Sequence, residues 1–183
     1  MKNTLLFFFF LALKVVAQTP KPTVIYLVRH AEKITIDAKD KDPLLTQNGL
    51  KRAKALAKKI KKIQLSAIYT TDYQRTRLTA EPISQKQNIT VQVYDARQIK
   101  AFAQKILTEN KGQNVLVVGH SNTVLETIEA LGGSKPIASI TDQEYDYFFR
   151  VMVGQDGKVE VELSHYGKKN TNTEGEQKMK DIK

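Results

Sequence analysis

Two histidines stand at equivalent places in this chain, and an imidazole can act as nucleophile, proton carrier or donor to an anion. The first follows an apolar run, Val24-Ile25-Tyr26-Leu27-Val28, in the segment Arg29-His30-Ala31-Glu32-Lys33. The second follows Val115-Leu116-Val117-Val118 and reads Gly119-His120-Ser121-Asn122-Thr123. Short Val/Ile/Leu-rich runs bounded by turn residues predict buried strands of a parallel sheet. Open α/β sheets bind ligands beyond the carboxyl ends of their strands. Two of the 3 histidines therefore converge on one crevice, with Arg29 beside the first. Arg75 adds a second guanidinium. In Tyr69–Ala80 a strand end precedes a helix start, and Arg75 falls in the first helical turn. There its fork and free backbone N–H groups can share a phosphate. Arg77, two residues on, points elsewhere. A nucleophile among cationic donors suits a phosphoryl group, whose transfer depends above all on positioning and charge stabilisation.

The elements that must hold these residues follow from periodicity. A strand at 24–28 leads through a polar loop ending at Asp42 to a helix over 47–63, with Thr46 as N-cap and a stripe of Leu50, Ala53, Leu56, Ala57, Ile60 and Ile63. A short strand at 67–69 precedes helical sequence at 75–87, where Pro82 demands a late start or a kink. A strand at 90–94, a helix around 99–107, a strand at 115–118 and a helix over 122–131 complete the alternation, and the last helix stops at Gly132-Gly133. Two strands, 145–153 and 159–164, flank the hairpin signal Gln155-Asp156-Gly157. The pattern predicts an α/β three-layer sandwich with a mostly parallel central sheet and an antiparallel hairpin.

The 183 residues fit one domain, placed at 23–166, with a linker at 18–22 and a polar tail at 167–183. Residues 1–17 have the layout of a secretory signal peptide: a basic start, the apolar stretch Leu5–Leu13, and Val15-Val16-Ala17 before the cut. The apolar stretch is short for a membrane span, and Lys14 leaves an uncleaved anchor as the alternative. The expectation is export, to a periplasm or the medium. With no cysteine, the fold must rest on its core alone. The formal charge is +10, concentrated in Lys51–Lys62 and the tail. A solvated helix face accounts for it, and attraction of anionic substrates is the sharper reading. Nothing interleaves aromatic with basic residues as a nucleic-acid surface would. Without cysteine or zinc-ligand spacing of histidines, no metal is expected, nor any other cofactor. Oligomeric state is not indicated.

Taken in order, Val-Arg-His-Ala-Glu-Lys, Leu45-Thr46-x-x-Gly49, the Arg-Thr-x-x-Thr-Ala stretch from Arg75 and Val-Gly-His-Ser-Asn-Thr resemble the histidine phosphatase superfamily, with its phosphoglycerate mutase-like fold. The resemblance runs from about residue 23 to 166. It implies that His30 is the nucleophile, forming a phosphohistidine, and that Arg29, Arg75 and His120 bind the phosphoryl oxygens. Glu32 matches the family's acidic position after Arg-His-x and is one candidate for the general acid. Asp95, after the strand ending at Tyr94, is the other, with a helix N-cap as its alternative role. Ser121 and Asn122 are expected to support the site through hydrogen bonds, Asn122 alternatively as a cap, and His165 to be structural. Many family members carry an acid in an insertion after the second arginine segment. Here the span from Thr76 to Gly119 is used by a helix, a strand and a helix. That leaves the acid open and argues against a mutase, which needs a cap to keep water from its intermediate. The expected activity is metal-independent hydrolysis of a small phosphomonoester.

Two other readings compete. Gly119-His120-Ser121-Asn122-Thr123 nearly spells a nucleophile elbow, and Asp142, Asp146 or Asp156 followed by His165 gives the residue order of a serine esterase of the α/β-hydrolase kind. Thr123 in place of the second glycine, and an unexplained Arg29-His30, count against it. The other is a non-catalytic site that captures phosphate without turnover.

Overall fold

The computed structural model describes residues 20–169, so the expectations for residues 1–17 and for most of the tail lie outside the described residues. The chain runs β1 (Thr23–Arg29), α1 (Gln47–Lys59), β2 (Ala67–Thr70), α2 (Gln74–Gln87), β3 (Val91–Val93), α3 (Ile99–Glu109), β4 (Asn114–Gly119), α4 (Ser121–Ala130), β5 (Tyr147–Val153) and β6 (Val159–His165). The strands form one sheet in the order β3-β2-β4-β1-β5-β6. The first four are mutually parallel, β5 runs antiparallel to β1, and β6 antiparallel to β5.

Alternation along the strands makes two cores. Ile25, Leu27, Val115, Val117 and Tyr69 pack against Phe102 and Ile106 of α3 and Val124 and Ile128 of α4. Val24, Tyr26, Val28, Leu116, Val118 and Ile68 face the other way, against Leu56 of α1, Ile60 just past its end, and Ala80 and Ile83 of α2. Because successive side chains point to opposite faces, near-continuous apolar runs in β1 and β4 are what a sheet covered on both sides requires. The predicted α/β three-layer architecture and its hairpin are therefore present.

The boundaries differ in instructive places. Helix α1 ends at Lys59 rather than at Ile63. Helix α2 does not start late at Pro82, but runs from Gln74 through Pro82 to Gln87. Its first N–H, on Gln74, donates to the Asp42 carboxylate at 2.8 Å, a distant cap that local sequence does not announce. Helix α4 begins one residue early, at Ser121, with His120 as N-cap. On the hairpin, Tyr145 and Asp146 precede β5 rather than opening it.

Strand register brings the two histidines together. β1 pairs with β4 so that Arg29 lies opposite Gly119. The next residue on each strand is a histidine, and the two leave the sheet side by side at its carboxyl edge.

Candidate active site

The His30 N–H donates to the Gly119 carbonyl at 2.9 Å, carrying the β1–β4 ladder one step past the sheet. The imidazoles of His30 and His120 consequently stand 5.4 Å apart, centroid to centroid, at 66°. His30 is 3% exposed. Its Nδ1 lies 2.8 Å from the carbonyl of Ala31. An imidazole nitrogen facing a carbonyl must carry the proton, which leaves the Nε2 lone pair free. Burial lowers the His30 pKa to about 3, helped by the nearby charges of Arg29, His120 and Arg75 and opposed by the Ala31 hydrogen bond. At neutral pH His30 is thus a neutral imidazole with its nucleophilic nitrogen available.

His120 is fixed by the turn into α4. Its N–H donates to Thr123 Oγ1 at 2.8 Å, and its ring faces the Thr123 N–H in a reciprocal capping box. Its Nε2 lies 2.8 Å from Thr71 Oγ1, at the carboxyl end of β2. Burial lowers its pKa to about 4, with Arg75, Arg29 and Lys33 adding in that order. Gly119 must be glycine: a Cβ there would lie 2.6 Å from Thr123 Oγ1 and 2.8 Å from the Tyr94 hydroxyl.

Both arginines flank the imidazoles. Arg29 Nη1 donates to the carbonyls of Thr141 (2.6 Å) and Glu144 (3.1 Å), and Nη2 to Asp142 (3.3 Å), so the loop before β5 is built around this guanidinium. Arg75 lies near Asp42 at 3.5 Å and donates to the Lys41 carbonyl at 3.3 Å. The Nε of each arginine is buried without a partner. Each guanidinium stacks on a tyrosine, Arg29 over Tyr145 at 4.3 Å and Arg75 over Tyr73 at 4.1 Å. Those rings in turn flank the histidines, Tyr145 at 6.1 Å from His30 and Tyr73 at 5.2 Å from His120. Arg77 pairs with Asp72 on the surface, away from this cluster, as its position two residues on predicts.

Two threonines of α2 tie the elements together. Thr79 of α2 accepts the Ala31 N–H at 2.9 Å and donates to the Arg75 carbonyl at 2.6 Å, joining the nucleophile's loop to the helix that carries Arg75. Thr76 donates to the carbonyls of Thr71 and Tyr73, closing the turn that precedes α2. This is the structural content of the Arg-Thr-x-x-Thr-Ala stretch.

The carboxylates sit differently from expectation. Glu32 takes Arg52 in a two-pronged pair, Nε at 3.0 Å from both oxygens and Nη2 at 2.8 Å from Oε1. Arg52 is 4% exposed and also donates to the carbonyls of Tyr166 and Lys168. Both Glu32 oxygens are thus engaged by Arg52. Gly49 lets α1 approach this loop, since a Cβ there would lie 2.3 Å from the Glu32 carbonyl. Asp95 is set apart from the histidines. It accepts from Arg97 N, Nε and Nη2, and Arg97 holds its pKa down at about 2. It is not the N-cap of α3 either, which is Gln98; it closes a local turn. Ser121 and Asn122 make no side-chain hydrogen bond among the described residues, so the support expected of them comes from Thr123 and Thr71 instead. The esterase constellation does not assemble. Ser121 follows β4 and His165 ends β6, three strand intervals or about 14 Å apart. His165 Nδ1 lies 3.0 Å from the Asp146 carboxylate.

Sequence reasoning missed Tyr73, Tyr145, Thr71 and Arg52. Only Tyr73 and Thr71 had a signal, their closeness to Arg75 in the chain.

Known proteins share this fold. The sequence pattern of the histidine phosphatase superfamily (branch 1) matches residues 25–96, the stretch that carries Arg29, His30 and Arg75. Solved structures extend the likeness across the sheet. A protein histidine phosphatase, SixA, complexed with tungstate superposes with a TM-score of 0.63 at 19% identity, over 78% of this chain and 96% of that one. A mycobacterial glucosyl-3-phosphoglycerate phosphatase gives 0.65 at 12% identity, over 81% and 100%. Phosphoglycerate mutase from Bacillus anthracis str. Sterne gives 0.63 at 18% identity, over 80% and 94%. The chain has the fold of the histidine phosphatases. No curated protein sequence matches the chain.

Proposed function

We propose that this protein is a metal-independent phosphomonoesterase that works through a phosphohistidine on His30. One observation carries the reading: two imidazoles stand 5.4 Å apart at the carboxyl edge of adjacent parallel strands, the first with its Nδ1 turned to the Ala31 carbonyl. A neutral imidazole attacks phosphorus, and splitting hydrolysis into two displacements lets water finish the reaction. Arg29 and Arg75 supply fixed positive charge where the phosphoryl oxygens gather it. The His120 Nε2–H, donated to Thr71 in the free protein, is the further donor to those oxygens. Similarity to a protein histidine phosphatase and to a sugar-acid phosphatase supports phosphatase chemistry. A mutase is disfavoured because the chain between Arg75 and His120 is consumed by α2, β3 and α3 and supplies no cap over the site.

The substrate in this reading is a small phosphorylated molecule. The layout of residues 1–17 makes the enzyme an exported one, which N-terminal sequencing of the cell-derived protein checks. The purified full chain should release phosphate from 4-nitrophenyl phosphate, vanadate should block it, and His30→Ala should abolish it. Quenching turnover in base should trap phosphate on His30. Phosphate binding without turnover would mean a capture site, and cleavage of an aryl acetate lost in Ser121→Ala would mean an esterase.

A further inference from the structure

An alcohol leaves phosphorus far more readily with a proton, and both carboxyls that the sequence offered for that task are engaged elsewhere. Glu32 holds Arg52 through both oxygens, and Asp95 holds Arg97 away from the histidines. We propose that the hydroxyl of Tyr145 is the general acid of this site, an inference that rests on the phosphatase reading.

Four observations support it. The Tyr145 ring lies 6.1 Å from that of His30. Tyr145 lines an open cleft together with Glu32, Lys33, Thr35, Asp142 and Gln143, and this cleft borders the Arg29-His30 segment through Glu32 and Lys33 and offers room for a leaving group. Its hydroxyl makes no hydrogen bond to another described residue, so its proton is not committed. The Arg29 guanidinium lies 4.3 Å over the ring and is placed to steady the phenolate that forms. Burial also pushes the Tyr145 pKa above its ordinary value, which keeps the proton in place through the neutral range. An alkoxide is more basic than a phenolate, so the transfer runs downhill once the ester bond stretches. Asp142, the second carboxyl in the cleft beside Glu32, accepts from Arg29.

The steps balance. His30 Nε2 forms a bond to phosphorus as the ester P–O bond breaks, and that electron pair goes to the leaving oxygen. The Tyr145 O–H proton follows it, giving the alcohol, a phenolate and a phosphohistidine. Water then attacks phosphorus, the phenolate takes its proton, and the N–P bond breaks to regenerate neutral His30 and release inorganic phosphate.

The test is a leaving-group series with Tyr145→Phe, a near-isosteric change. 4-Nitrophenyl phosphate expels a stable anion that needs no proton, and its kcat should fall no more than about threefold. An alkyl phosphate such as glycerol phosphate should lose on the order of a hundredfold. Wild-type hydrolysis of the alkyl ester should persist past pH 8, where a carboxyl acid would have lost its proton. Equal loss on both substrates would reduce Tyr145 to a prop for Arg29, and no loss on either would remove it from the chemistry. A selective loss in Asp142→Asn with none in Tyr145→Phe would hand the role to the carboxyl. Each of these overturns the proposal. Turnover of 4-nitrophenyl phosphate abolished by His30→Ala keeps the phosphatase reading whatever Tyr145 does; absence of any turnover sinks both.

Discussion

Acidification should destabilise this protein through the buried imidazole of His30. His30 is 3% exposed and its pKa is lowered from 6.5 to about 3, first by burial and then by Arg29, His120 and Arg75. Above pH 6.5 the folded and unfolded chains both hold it neutral, and it contributes no pH dependence. Between 6.5 and 3 the unfolded chain binds a proton that the folded chain refuses, so stability falls as pH falls. At pH 5, 1.5 units below the unfolded value, the loss is about 2 kcal/mol. His120, lowered to about 4, acts with the same sign but less, because it is only half-buried and solvent screens it. Urea unfolding of the wild type and of His30→Asn at pH 7 and pH 5 isolates the His30 contribution from that of the carboxylates, which both proteins share. The wild type should lose about 2 kcal/mol more than the variant over that interval. Parallel losses in the two proteins would show that His30 is protonated as easily in the fold as out of it. That would remove the basis for a free nucleophile at mildly acid pH.

Other substitutions probe the rest of the site. Glu32→Gln leaves the Arg52 charge buried without its counter-ion and should cost about 3 kcal/mol in urea unfolding, whereas an unchanged midpoint would make the pair incidental. Arg75→Ala should lower kcat/KM for 4-nitrophenyl phosphate at least roughly tenfold by removing one charged contact to the transition state, and an unchanged rate would place Arg75 outside the site. Gly119→Ala sets a Cβ 2.6 Å from Thr123 Oγ1 and should cost about 1–3 kcal/mol while displacing His120; wild-type activity and stability together would contradict the close approach. Lys33→Met should raise KM more for esters whose alcohol carries a carboxylate than for neutral ones, since Lys33 lines the cleft beside the nucleophile; equal changes would make it a phosphate ligand instead.

What could be read in the sequence divides along physical lines. β1 and β4 announce themselves because a strand buried on both faces must be apolar throughout, and the residues after them inherit their place from the sheet. That is why His30 and His120 could be paired despite their distance along the chain. Helix α2 was harder. Its apolar face is poorly marked, and it is held by Thr79 on Ala31 and by Asp42 on Gln74, bonds to a loop that carries no periodicity. The ion pair of Glu32 was hidden for a related reason. Its environment is decided by Arg52, one turn into α1, and nothing local says that this guanidinium will be buried against the nucleophile's loop. Tyr145 arrives from the irregular segment between α4 and β5, whose path depends on three bonds to Arg29. The fold was legible because burial writes a pattern; the proton inventory was not, because ion pairs are set by tertiary approach.

The same Arg52 guanidinium that grips Glu32 also grips the carbonyls of Tyr166 and Lys168, just past the last strand. The two ends of the folded region are therefore unequal places for an attachment. A fusion joined ahead of Thr23 enters at the sheet's amino edge, remote from the imidazoles. One joined directly after Lys168 tugs on the anchor of the His30 loop, and a short rigid linker there should lower turnover of 4-nitrophenyl phosphate without lowering the urea midpoint.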